Sequence, residues 1–250
     1  MPVFSNEERQ NAVTRLCRRI GRISTIRLAV EQARTTGAPV RLVLNDFDMS
    51  TAYECLIEGV LEAGLEIDAI GLQSHMHQGY WGEERTNHVL DRFARYGLPL
   101  HLTETTLLSG DLMPPETEDL NDHQPKVWPS TPAGEDRQAD EIVRHYRTLL
   151  SHPSVESVTY WGITDRGAWL GAPAGLVRTD GSPKPAYDAL RQLIKDEWWV
   201  APTRLRTDAQ GRVPVHGWSG AYTVSVDGTP VPWDLRVGER EVEVVLARYA

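Results

Sequence analysis

Ile67-Asp68-Ala69-Ile70-Gly71-Leu72-Gln73-Ser74-His75 begins as a nearly unbroken apolar run and ends in three polar residues. A strand this apolar is tolerated only where both faces of its sheet are buried, which is the condition of a parallel sheet covered by crossover helices. Helical spacing follows over residues 84–96, and then a second apolar run, Leu100-His101-Leu102-Thr103, closes on Glu104. The unit is therefore strand, polar strand end, helix.

The same unit occurs on either side. Residues 40–44 form a strand followed by a helix over 50–63, with Gly64 in the position that ends helices; residues 100–103 pair with a helix over 134–150, and 155–161 with a helix over 185–196. Upstream, Val13, Leu16, Cys17, Ile20, Ile23 and Ile26 recur at spacings of three and four, which predicts one leading helix over 11–34. Four strand-helix units after a leading helix give an α/β chain with four strands of a barrel or a doubly wound sheet. Residues 105–133 are a long connection rich in Pro, Asp, Glu and Ser, placed after a strand, on the side where barrels build their active sites. Beyond residue 199 the texture changes to short alternating runs, 217–226 and 237–246, broken by Asp227-Gly228. These predict a small antiparallel β-module over 200–250, separate from the βα region over 1–199.

Composition narrows the function. A length of 250 residues with 40% hydrophobic content supports a packed core, and a net charge of −9 with pI near 5.4 and no basic stretch argues against a nucleic-acid partner. A neutral substrate fits better. No run suggests a membrane partner. Cys17 and Cys55 lack Cys-x-x-Cys spacing and read as buried reduced thiols; the eight histidines form no metal motif, so no metal or cofactor is expected. The polar start over residues 1–10 has no signal-peptide pattern, so the chain as written is expected to be cytoplasmic, or secreted if a further segment precedes it.

Polar residues gather where each strand ends: Asn45 and Asp46, then Gln73, Ser74 and His75, then Glu104, then Trp161 with Asp165. One polar strand end is most simply a cap or a loop start; four converging on one face favour a site. Glu104 offers an oxygen nucleophile, against the simpler reading of a surface ion pair, and His75 on the neighbouring strand is placed to orient it. Trp161 and Trp169 offer flat faces of the kind on which sugars stack. Trp198 and Trp199 read as packing residues, and Asp48, Glu54, Glu58 and Glu62 as a solvated helix face.

Five motifs taken in order, Val43-Leu44-Asn45-Asp46-Phe47, Ile70-Gly71-Leu72-Gln73-Ser74-His75-Met76, Leu102-Thr103-Glu104, Tyr160-Trp161-Gly162-Ile163-Thr164-Asp165 with Trp169, and Pro183-Lys184-Pro185-Ala186-Tyr187, resemble family 10 glycoside hydrolases, the endo-1,4-β-xylanases. The resemblance covers residues 12–197. It implies a (β/α)8 TIM barrel represented by roughly its second half, hydrolysing internal bonds of xylan with retention. In that comparison Glu104 is the nucleophile, His75 orients it, Asn45 and Gln73 line the sugar cleft, and Trp161 and Trp169 wall the subsite beside the scissile bond. Thr106 stands where the family usually carries an acidic residue. A retaining enzyme also needs an acid/base carboxyl about 5–5.5 Å from the nucleophile. Glu7, in Asn6-Glu7, is the one residue with the family's local pattern, but the five residues before it include Pro2 and make a poor central strand. The resemblance thus implies a chain lacking strands one to four and the acid/base, inactive by itself on xylan. Two alternatives remain: a non-catalytic carbohydrate-binding remnant, or a related retaining β-glycanase of other specificity.

Overall fold

The computed structural model describes residues 11–226 and 228–236. Glu7, and the expected strand over 237–246, lie outside the described residues. The chain divides into two compact units between Leu190 and Arg191.

The first unit opens with two helices where the apolar spacing predicts one, α1 (Ala12–Ile20) and α2 (Arg22–Thr35). Gly21 separates them at φ 86°, a left-handed conformation costly for any residue with a Cβ. Asn11 caps α1, its side-chain oxygen accepting from the Thr14 amide at 2.9 Å. The four βα units then follow: β1 (Val43–Asp46) with α3 (Thr51–Glu62), β2 (Ala69–Leu72) and β3 (His75–Met76) with α4 (Gly82–Ala94), β4 (Leu100–Leu107) with α5 (Pro132–Ser151), and β5 (Val155–Tyr160) with α6 (Pro185–Gln192). The last helix passes into a π turn at Leu193–Glu197.

All pairings in this sheet are parallel, in the order β1, β2, β4, β5. β3 continues β2 along the same side of β4 after a break at Gln73-Ser74, pairing His75 with Thr106 and Met76 with Leu107. This pairing carries β4 four residues past the apolar run that marks it in the sequence. The long connection is shorter in consequence, because β4 takes its first three residues and α5 its last two.

Core residues from strands and helices meet between the sheet and its helices: Leu44, Ile70 and Leu100 from strands, Ile57, Phe93 and Leu149 from helices. Tyr53 is buried among them and donates its hydroxyl to the carbonyls of Leu44 (2.7 Å) and Gly71 (3.0 Å), tying α3 to the ends of β1 and β2. Glu54 corrects the expectation of a solvated acidic face. It is buried and ion-paired with Arg92 and Arg95, because α4 lies against that side of α3. Cys17 is buried as expected; Cys55 is exposed, since the helix turns it away from the sheet.

Leu108, Met113 and Trp128 of the connection after β4 form a small core with Ala172 and Ala174 of the segment after β5. The Gln78 side-chain amide lies within hydrogen-bonding distance of three carbonyls of the connection after β4, those of Pro114, Pro115 and Thr117, which tethers that loop to the residues after β3. In the second unit, β6 (Gly220–Val226) and β7 (Thr229–Leu235) form an antiparallel hairpin across Gly228 at φ 83°. Pro230 and Pro232 lie within β7, where they oppose Ser225 and Thr223 and, among the described residues, β6 is the strand's one partner.

Candidate active site

The polar strand ends meet around Glu104. Its Oε1 accepts from Asn45 Nδ2 at 3.3 Å, and its Oε2 lies 3.0 Å from His75 Nε2, so the two carboxylate oxygens are held by residues of two other strands. Glu104 is partly buried, with a side-chain exposure of 18% that leaves an open approach. Thr103 donates to Asn45 Oδ1 at 2.8 Å, which fixes the amide so that its NH2 faces Glu104. Thr103 and Glu104 are adjacent, and side chains of adjacent strand residues normally point to opposite faces. Both reach Asn45 because the β4–β5 register slips between Leu102 and Thr105, the type of irregularity that re-aims side chains.

Asn45 also needs room. A Cβ at Gly71 would lie 2.6 Å from Asn45 Oδ1, so a glycine opposite Asn45 in the β1–β2 register is a condition of the site.

His75 is held at both ring nitrogens, Nε2 by Glu104 and Nδ1 by Thr106 Oγ1 at 2.9 Å. Burial lowers its pKa, opposed by the hydrogen bond and charge of Glu104. Trp161 and the His75 ring meet perpendicular to one another at 6.1 Å between centroids, and His77 lies 5.6 Å away. His77 is buried, packed between Trp169 (5.1 Å) and Trp128 (6.4 Å), and burial pushes its pKa down to about 4. Trp161 and Trp169 keep 49% and 38% of their surface exposed, so each presents a face to solvent beside Glu104's histidine or its neighbour. Leu170, directly after Trp169, has φ 55°, a turn that a branched residue adopts only when its surroundings impose it.

The structure thus brings together Glu104, His75, Asn45 and, through ring contacts, Trp161 and Trp169. Gln73 lies at the break between β2 and β3, half-buried, its backbone amide donating to the Asp46 carbonyl at 3.1 Å. Asp46 and Asp165 take structural roles. Asp46 Oδ1 accepts from the amides of Phe47 and Asp48, and Asp165 Oδ1 accepts from Gly175 N and Lys184 Nζ, both at 2.8 Å. Lys184 is fully buried and also donates to Ser109 Oγ at 2.8 Å, so it ties the segments after β4 and β5 together. Thr106, Thr103 and Lys184 were not singled out as site-building residues by their sequence positions. Thr106 carried no local signal, because its place on the same strand face as Glu104 depends on the β3–β4 pairing that extends β4 past residue 103. Among the described residues no group of three or more His, Cys, Asp or Glu is placed to hold a metal ion.

A family model described as Glycosyl hydrolase family 10 matches residues 4–193. Endo-1,4-beta-xylanase A of Halalkalibacterium halodurans is 30% identical over 151 residues, 58% of this chain and 37% of that protein. Anti-sigma-I factor RsgI6 of Acetivibrio thermocellus is 25% identical over 180 residues, 71% of this chain and 20% of that protein. Among solved structures, a thermostable mutant of a xylanase from Cellvibrio japonicus superposes with a TM-score of 0.58 at 24% identity, covering 74% of this chain and 59% of that one. The catalytic core of xylanase A gives the same score and identity over 72% and 56%. At that identity these two matches speak to the fold. The chain spans less than half the length of the curated relatives it matches.

Proposed function

The chain belongs to glycosyl hydrolase family 10, with the βα fold of the TIM-barrel xylanases, and on that premise we propose that it supplies the nucleophile half of a retaining β-1,4-xylanase site. The observation that carries the reading is the clamp on Glu104: one carboxylate oxygen on Asn45, the other on His75, with the group still open to solvent. Two polar partners on neighbouring strands hold the carboxylate in one orientation, so little reorganisation is needed when it attacks.

In the proposed reaction Glu104 attacks the anomeric carbon of a xylose unit. The bond to the leaving oxygen breaks with its electron pair, and a glycosyl ester forms on Glu104. Asn45 and Gln73 take sugar hydroxyls, while Trp161 and Trp169 receive the apolar faces of the rings. The leaving alkoxide of a xylan chain needs a proton from a second carboxyl; Glu7, the sequence candidate, lies outside the described residues. The ligand is accordingly a neutral polysaccharide, and glycosides whose leaving groups depart without protonation require only the groups gathered around Glu104.

Covalent trapping tests this. Incubation with a 2-fluoro-xyloside bearing a dinitrophenolate leaving group should add one glycosyl mass to the peptide containing Glu104, and Glu104→Gln should remain unlabelled. Labelling at another residue, or equal labelling of Glu104→Gln, would refute it. The exposed faces of Trp161 and Trp169 support a second reading, glycan binding without turnover. In that case wild type shows no adduct, yet is retarded in gels containing soluble xylan, and Trp161→Ala loses the retardation.

A further inference from the structure

The His75 ring has a hydrogen-bonding group at each nitrogen, and the chemistry of those two groups fixes its protons. Nε2 faces Glu104 Oε2 at 3.0 Å and Nδ1 faces Thr106 Oγ1 at 2.9 Å. An ionised carboxylate only accepts, so it requires a proton on Nε2. The neutral ring then carries a lone pair on Nδ1, and a lone pair needs a donor. A hydroxyl supplies one; a carboxylate at residue 106 would not. The Thr106 hydroxyl has a competing acceptor, the Glu104 carbonyl, but at 3.3 Å it is the longer contact. The reverse arrangement, with the proton on Nδ1 and Thr106 accepting, turns the Nε2 lone pair onto Glu104 and permits a hydrogen bond only if Glu104 is protonated.

We propose that Thr106 is a positioning residue: its hydroxyl donates to His75 Nδ1, locks the neutral ring in the Nε2–H form, and leaves Glu104 as the only charge in the clamp. The groups facing the ring agree with a neutral state. His77, 5.6 Å away, is itself buried, and Trp161 meets the ring in a T-shaped contact; Glu104 is the one anion in contact among the described residues. The importance of this state for a nucleophile rests on the reading of Glu104 above; the tautomer itself follows from the two contacts and from a carboxylate that accepts.

The test is nitrogen-15 NMR of the full chain labelled at histidine, with His75 assigned by its loss in His75→Gln. The expected result is N–H character at Nε2 and lone-pair character at Nδ1 at neutral pH, with the pattern kept in Thr106→Ser. Thr106→Asp, which offers an acceptor instead of a donor, should raise the imidazole's protonation constant about tenfold or more. A proton on Nδ1, or an imidazolium at neutral pH in the wild type, overturns the proposal; because this measurement uses the wild type, it holds even if Thr106→Asp fails to fold. Equal titration of His75 in wild type and folded Thr106→Asp also overturns it. The trapping experiment separates the two ideas. The stated tautomer without a Glu104 adduct retains the proposal and removes the nucleophile, and an adduct with the other tautomer does the reverse.

Discussion

His145 is fully buried on α5, edge-on to Tyr80 at 5.7 Å, and neither of its ring nitrogens has a hydrogen-bond partner among the described residues. Burial lowers its pKa from 6.5 to about 4. His77, also buried, is lowered to about 4 by burial and then by the charges His75 and His123 would carry. As pH falls below about 6.5 the unfolded chain takes up a proton at each residue while the folded protein stays neutral there. Each therefore costs nothing above pH 6.5 and about 1.4 kcal/mol per pH unit below it, reaching roughly 3 kcal/mol at pH 4. His145→Leu removes one of the two sites at similar volume. Urea unfolding at a series of pH values between about 4 and 7 should show the variant at least as stable as wild type near neutrality, because an unpartnered polar group leaves the core. Its advantage should then widen by roughly 3 kcal/mol at pH 4. Carboxylates held low by arginines, such as Glu54 and Glu135, titrate in both proteins and cancel in the difference. A difference that stays constant from pH 7 to 4 would show that His145 is not held neutral by burial.

Three further substitutions probe the site and its frame. Gly71→Ala places a methyl 2.6 Å from Asn45 Oδ1; it should cost about 1–3 kcal/mol of stability and slow trapping at Glu104, and an unchanged trapping rate would remove Asn45 from the clamp. Lys184→Met leaves Asp165 without its cation and should destabilise by about 3–5 kcal/mol, with Lys184→Met/Asp165→Asn recovering part of the loss in chemical unfolding. Glu54→Ala leaves Arg92 and Arg95 without their shared carboxylate and should cost about 1–3 kcal/mol near neutral pH. That cost should shrink in acid: the Glu54 pKa is held below its usual value, chiefly by Arg92, so its stabilisation is lost as pH falls through the folded-state value.

The alternation of strand and helix was legible because each strand is a short apolar run and each helix a three-and-four spacing, both local patterns. Polar residues at the strand ends were legible for the same reason. The break at Gly21 was hidden, since the apolar spacing runs straight through it and only backbone conformation interrupts the helix. The extra length of β4 was hidden because Glu104, Thr105 and Thr106 are strand residues through their pairing with β3 and β5, not through their hydropathy. Glu54 and Glu58 are indistinguishable in sequence, four apart on one helix. Glu54 is buried between Arg92 and Arg95 where α4 lies against α3, while Glu58, one turn on, stays exposed although it too pairs with Arg95.

Residue order alone carried the parallel α/β class and the placing of Asn45, His75, Glu104 and Trp161 at strand ends, because burial on both faces and the return of the chain to solvent are local patterns. Tertiary structure decided which atoms meet. The slip in the β4–β5 register, the missing Cβ at Gly71 and the β3–β4 pairing put Asn45 on one oxygen of Glu104, His75 on the other and Thr106 behind His75. Contacts between residues 29 and 59 positions apart depend on register and packing, and a local pattern carries neither.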